Sequence, residues 1–177
     1  MGTINQQMLH HLNQDGFSVV MVGGGADDGD DAPFSYSVGF RTIGHPDIII
    51  PGLPGARAAD FIGQLHASAK AGTRRTPGVA YDDVASGYLA QFRSVLPQWR
   101  QELMPLASLA YRHINGDPNF TALQLFYPDR FGRWPWDPAV APALRQMQPR
   151  LDLDPQPPRY AGDRLLRAVR GAGIAVA

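Results

Sequence analysis

Apolar residues recur every four positions at Ile4, Met8 and Leu12, the stripe of a short helix that Asp15-Gly16 ends. Phe17 to Val22 is compact and β-branched and reads as a strand, and Gly23 to Ala32, glycine and aspartate without an apolar anchor, reads as a loop. From Pro33 to Phe40 the large residues Phe34, Tyr36, Val38 and Phe40 alternate with small ones, the pattern of a half-buried strand. Arg41 to Pro46 is a turn, and Asp47 to Ile50 is a short apolar strand that Pro51-Gly52 ends. Ala58, Phe61, Ile62, Leu65 and Ala69 share one helical face across Ala56 to Ala71, with Gly72 at the stop.

Arg74 to Gly87 is a polar excursion. Tyr88 to Val95 then alternates as a strand, and Pro97 to Ile114 carries helical spacing that Pro105 kinks or splits. After the Asn115-Gly116-Asp117-Pro118 turn, Phe120 to Phe126 alternates again, with Leu123 and Leu125 on one face. Beyond Pro138 the chain is rich in proline and arginine. Asp152 to Pro158 reads as an extended linker and Asp163 to Arg170 as a last short helix.

This order predicts an α+β domain with flanking helices on a mainly antiparallel sheet of about five strands, whose interrupting glycines and prolines leave it free to curl. Residues 1–138 form the domain in this reading, and 139–177 an extension packing on or beside it. The periodic apolar positions Phe34, Tyr36, Val38, Ile48, Ile50, Phe61, Leu65, Leu123 and Leu125 are expected to share one core.

Composition narrows the chemistry. The 177 residues include 44% hydrophobic ones, enough for a packed core. Sixteen basic and sixteen acidic residues cancel, which disfavours a nucleic-acid partner. From Ala141 onward six arginines face three aspartates, too weak an excess to change that view, and one that would serve as well for a dimer contact. Cysteine is absent, which excludes disulfides, thiolate metal sites and cysteine nucleophiles. No apolar run is long enough for a membrane helix, and the first residues lack the cationic start of a signal peptide, so a cytoplasmic location is the default.

The richest chemistry lies in Tyr127 to Asp137. Tyr127, Asp129, Arg130, Arg133, Trp134 and Trp136 put stacking faces, a carboxylate and guanidinium forks in a short span directly after a predicted strand. Such a loop can hold a planar or anionic ligand. It can equally be architecture, with the indoles covering the sheet and Asp129 closing a turn. His45-Pro46-Asp47 comes second: His45 could act as a base with Asp47 orienting it, or bond backbone in a turn. A metal would need a third ligand from His66 or His113, and no recognised ligand spacing is present, so no metal is expected. Ser35 and Ser37 lie in mid-strand rather than on a nucleophile elbow, and Gly23-Gly24-Gly25 lacks the remaining elements of a phosphate loop.

Three stretches in this order carry a family resemblance: Pro33 to Phe40, Gly44 to Leu53, and Leu123 to Pro138 with its Tyr-Pro-Asp-x-x-Gly-x-x-Pro-Trp run. Together they resemble a bacterial family known as domain of unknown function 4262, across roughly Gly16 to Pro138. One departure is Asp47, where the family more often carries Glu. The resemblance implies one defined domain and no particular reaction or cofactor.

Two functions of different class remain at this point. One is a small-molecule-binding domain, enzymatic or not, with its site at Tyr36, His45 and the Tyr127–Asp137 loop. The other is a protein-interaction module, of immunity or regulatory type, using the same loop as its contact surface.

Overall fold

A computed structural model describes residues 6–23, 33–153 and 174–176. The chain order is α1 (Gln6–Gln14), β1 (Ser18–Val22), β2 (Phe34–Val38), a 3-10 turn (Phe40–Ile43), β3 (Asp47–Pro51), α2 (Gly55–Lys70), β4 (Ala80–Ala85), β5 (Tyr88–Ser94), α3 (Pro97–Leu103), α4 (Pro105–Asn115), β6 (Ala122–Phe126), α5 (Pro142–Met147) and β7 (Ile174–Val176). The loop read at 24–32, the linker beyond Leu153 and the helix read at 163–170 lie outside the described residues.

The strands form one open, mixed sheet in the order β4-β5-β6-β3-β2-β1-β7, so the fold is α+β. All pairings are antiparallel except the central one, β3 with β6, where Asp47, Ile48 and Ile49 face Ala122, Leu123 and Gln124 in parallel. Every residue of β2, β3 and β6 is buried, as expected of strands covered on both faces.

Apolar residues therefore gather in two clusters, one on each face, rather than in the single core expected from periodicity. Phe34, Tyr36 and Val38 face α1, α3 and α4, packing with Met8, Leu103 and Tyr111. Ile48, Ile50, Leu123 and Leu125 point the other way, onto Ile62 and Leu65 of α2. Alternation along the strands sorts the same residues onto opposite sides of one sheet.

Two strands escape the hydrophobic pattern. β4 falls inside the polar excursion; it is an edge strand, and its exposed Asp82 and Asp83 suit a position where only one flank is paired. β7 pairs with β1 from within the stretch expected as an extension, Met21 opposite Ala175. Pro105 does split the helix expected over 97–114, giving α3 and α4.

The stretch 139–153 is woven into the domain. Leu151 is fully buried against the α3–α4 face. The Gln124 side chain donates to Pro149 O (2.6 Å) and accepts from Leu151 N (3.0 Å), while Leu96 N donates to Leu151 O (2.9 Å). Gly39 is required by a close approach: its φ is 121°, and a Cβ there would meet Gly16 O at 2.5 Å.

Ile62 is wholly buried, whereas Phe61 is half-buried at the margin of its cluster. Ile62→Ala should cost about 2–5 kcal/mol in denaturant melts. Phe61→Ala should cost only about 1–2 kcal/mol, half the value of a fully buried ring. Equal losses would show that the α2 face is not seated as described.

Candidate functional site

The two candidate regions lie at opposite ends of the sheet. β3 and β6 run in parallel and in register. Asp47 stands level with Ala122, five residues before Tyr127, so the start of β3 and Tyr127 are roughly 16 Å apart along the strands at about 3.3 Å per residue, and His45 lies two residues further back along the chain. Tyr36 points into the α4 layer, where burial raises its phenol far above the usual range and the Leu106 backbone opposes that shift weakly. The structure thus places neither Tyr36 nor His45 beside the aromatic loop.

His45 and Asp47 do not pair either. His45 Nδ1 meets the Pro46 carbonyl at 2.7 Å, and its ring packs edge-on against Phe40. Burial holds its pKa below the ordinary histidine value. His66 stacks on Phe17 with ring centres 4.3 Å apart and tilts against the same Phe40. Phe40 thus stands between the two imidazoles, and His113 is exposed on α4. Among the described residues no group of three His, Asp or Glu side chains is arranged to hold a metal.

Asp47 instead anchors a buried polar lock. Its Oδ1 accepts from Ser37 Oγ (2.7 Å) and Phe40 N (3.3 Å), and its Oδ2 accepts from the Tyr111 hydroxyl (2.5 Å). Tyr111 in turn accepts from Gly39 N (2.8 Å) and Arg41 N (3.4 Å), and Ser37 accepts from Ile48 N (2.9 Å). The 3-10 turn between β2 and β3 is thereby satisfied from α4, across the edge of the sheet. With Ser37, Asp47 and Tyr111 fully buried and their polar atoms bonded to one another and to the turn, this cluster reads as architecture.

The aromatic loop divides. From Asp129 to Arg133 it is a closed turn: Asp129 Oδ1 accepts from Phe131 N (2.8 Å) and Arg133 N (3.0 Å), and Oδ2 accepts from Arg133 Nε (2.7 Å). Trp134 and Trp136 then stack with centres 5.5 Å apart and planes 6° apart. Trp136 lies edge-to-face on Phe126, with the Arg93 and Arg150 guanidiniums 4.9 and 5.1 Å from its ring centre. Both indoles are half-buried on the α3–α4 side of β5 and β6. Arg130 is exposed beside the equally exposed Phe131.

Tyr127 and Pro128 go elsewhere. The antiparallel β5–β6 ladder ends at Gln91 opposite Phe126. Two residues later Pro128 has no N–H to continue it, and the chain turns away. The tip of the β4–β5 hairpin therefore overhangs the end of β6. Beneath the overhang lies a half-open cleft of about 190 Å³. Leu53, Arg57 and Phe61 form one wall from the start of α2, and Val84, Ala85, Tyr88 and Leu89 form the other. Leu125, Tyr127 and Pro128 close its floor and end.

Tyr127 is held by its backbone: its N donates to Gln148 Oε1 (2.9 Å) and its O accepts from Gln148 Nε2 (3.0 Å). Burial pushes its phenol up to about 12, so it stays protonated at neutral pH. Gly52, at φ 80°, has no room for a side chain, since a Cβ would lie 2.9 Å from both Met147 and the Tyr127 hydroxyl. Arg57 is the one charged residue of the lining. Of the eight sequence candidates, Tyr127 alone lines this cleft. Arg57, Val84, Ala85 and Tyr88 had no chemical motif to mark them, and the available signal was an apolar Tyr-Leu pair directly after a Ser-Gly turn.

The open mixed sheet, the buried polar lock and the apolar cleft define a small α+β domain with a half-open recess at one end of the sheet. The chain belongs to the family described as domain of unknown function (DUF4262), whose model matches residues 11–141. No curated protein and no solved structure matches the chain. Among the described residues no helix is long and apolar enough to cross a membrane.

Burial raises Asp47 to about 7, against the smaller opposing effect of its bonds from Tyr111, Ser37 and Phe40 N. Between its unfolded value near 4 and about 7, the folded chain keeps a proton that the unfolded chain releases. This group's contribution to stability should therefore fall as pH rises through that window, by up to about 1.4 kcal/mol per pH unit. Denaturant melts from pH 4.5 to 7.5 should show the decline, and Asp47→Asn should remove that component. A slope of opposite sign attributable to Asp47 would mean that the lock holds a carboxylate of depressed pKa. Tyr111→Phe, which orphans Gly39 N and one carboxylate oxygen, should cost about 1–3 kcal/mol or more.

Proposed function

We propose that this protein is a binding domain for a small, largely apolar molecule, received in the cleft between the start of α2, the β4–β5 hairpin and Tyr127–Pro128. The observation that carries the reading is the overhang itself. A hairpin tip with exposed Tyr88 (60%) and Leu89 (45%) is held off the sheet end over a recess whose lining is apolar apart from Arg57 and two tyrosine hydroxyls. Apolar recesses with a few polar groups are the usual form of small-molecule sites. A volume near 190 Å³ has room for one ring and a short chain, judging by the slightly smaller engineered cavity that takes up benzene. Binding is favoured over catalysis because the lining brings together no acid–base pair or nucleophile.

A second reading keeps the same hairpin as a protein contact. It is favoured by the exposed apolar tip beside the unpaired flank of β4, a site where a partner strand could add.

The neutral probe 4-phenyl-1-butanol separates the two readings. In methyl-resolved NMR it should shift Leu53, Val84, Leu89 and Leu125 and leave the Trp134 and Trp136 indole signals in place. Ala85→Phe, which fills the recess, should weaken binding at least about tenfold, the loss of a few contacts' worth of free energy. Arg133→Ala should leave it unchanged. Shifts centred on the two indoles, or indifference to Ala85→Phe, would overturn the cleft as the site.

A further inference from the structure

The cleft has a polarity that apolar lining alone does not explain. Its only charged side chain is Arg57, in the first turn of α2 at the Leu53 end. That guanidinium is exposed and makes no hydrogen bond, ion pair or ring contact with any described residue. Arg41, Arg75, Arg133 and Arg150, by contrast, each hold an aspartate at 2.6–2.7 Å. The exposed guanidinium of Arg112 on α4 likewise has no partner among the described residues, but it does not line the cleft. Asp60, the nearest acid along α2, forms no ion pair with it. The first turn of α2 contains no acidic residue and has no side-chain cap, so its backbone N–H groups add to the positive potential at that end.

We propose that the cleft takes a small aromatic monocarboxylate, its ring between Phe61 and Tyr88 and its carboxylate on Arg57. This deepens the binding reading above and rests on it. The charge complement is single, because one guanidinium without a second cation in the lining suits a monoanion better than a phosphate. An aromatic body suits walls that present the rings of Phe61, Tyr88 and Tyr127, where edge and face contacts add to area burial. The Tyr127 hydroxyl, 2.9 Å from where a Cβ on Gly52 would stand and so beside Leu53, can donate a hydrogen bond to the acid at that end.

Paired calorimetric titrations of the full chain test this, using 4-phenylbutyrate and 4-phenyl-1-butanol, which share a body and differ in charge. The acid should bind wild-type protein roughly tenfold more tightly than the alcohol, as one charge-assisted pair would give. Raising salt should narrow that gap. Arg57→Gln should bring the acid's affinity down to that of the alcohol, and Arg57→Lys, which keeps the charge but loses the fork, should fall between. Equal binding of acid and alcohol with no response to Arg57→Gln would overturn the carboxylate inference and leave the apolar cleft intact. Failure of both probes to bind wild-type protein would overturn the cleft reading as well. Because Arg57 is exposed and its side chain has no partner among the described residues, its replacement should leave the thermal unfolding midpoint within a few degrees of wild type, so a loss of selectivity cannot be ascribed to unfolding.

Discussion

The parallel pairing of β3 with β6 is the constraint on which the rest of the structure depends. Two parallel neighbours cannot be joined by a tight turn; they need a crossover. Here the crossover carries α2, the β4–β5 hairpin, α3 and α4, and it deposits helices on both faces of the sheet. That is why β2, β3 and β6 are buried throughout and why the apolar residues fall into two layers. The hairpin then adds to the outer flank of β6, and Pro128 ends that ladder before the hairpin does. The cleft is the space left by this mismatch in strand length.

The buried lock at the other end of the pair serves the same pairing. β3 follows a tight 3-10 turn that leaves the N–H groups of Gly39, Phe40 and Arg41 without strand partners. Asp47 and Tyr111 supply the acceptors, and in doing so fasten α4 to the start of β3. A buried carboxylate is costly unless its oxygens are bonded. Three donors meet that need, and the residual cost appears as the upward displacement of its pKa. The polar group closest in chain to His45 is thus occupied in holding the fold.

The aromatic loop illustrates how one dense run of functional-looking residues can serve two purposes. Trp136, with Trp134 stacked on it, covers Phe126 and Arg93 on one face, and Asp129 is saturated by its own turn. Tyr127, clasped by Gln148, stands on the other side as the end wall of the recess. Strand alternation explains the division: Phe126 and Tyr127 leave β6 facing opposite ways. The rings were conspicuous by type, but their roles depend on which face of β6 each one meets.

Most of the skeleton could be read from local pattern. Alternation at Phe34–Val38 and Leu123–Phe126, the stripe from Ala58 to Ala69, and Pro105 as a helix break follow from side-chain period and backbone chemistry, which act within a few residues. The family motifs lie in the same stretches. The edge strand β4 was hidden because a strand paired on one flank tolerates consecutive aspartates, and α5 because six residues after a proline carry little periodic signal. Only the tertiary structure decided that the apolar positions form two layers, that Asp47 turns to Tyr111 sixty-four residues away rather than to His45, and that Arg57 and Tyr88 meet across a recess. These outcomes depend on strand order and on where each ladder stops. Both are set by pairings between segments far apart in the chain, and such pairings leave no mark on the spacing of residues along it.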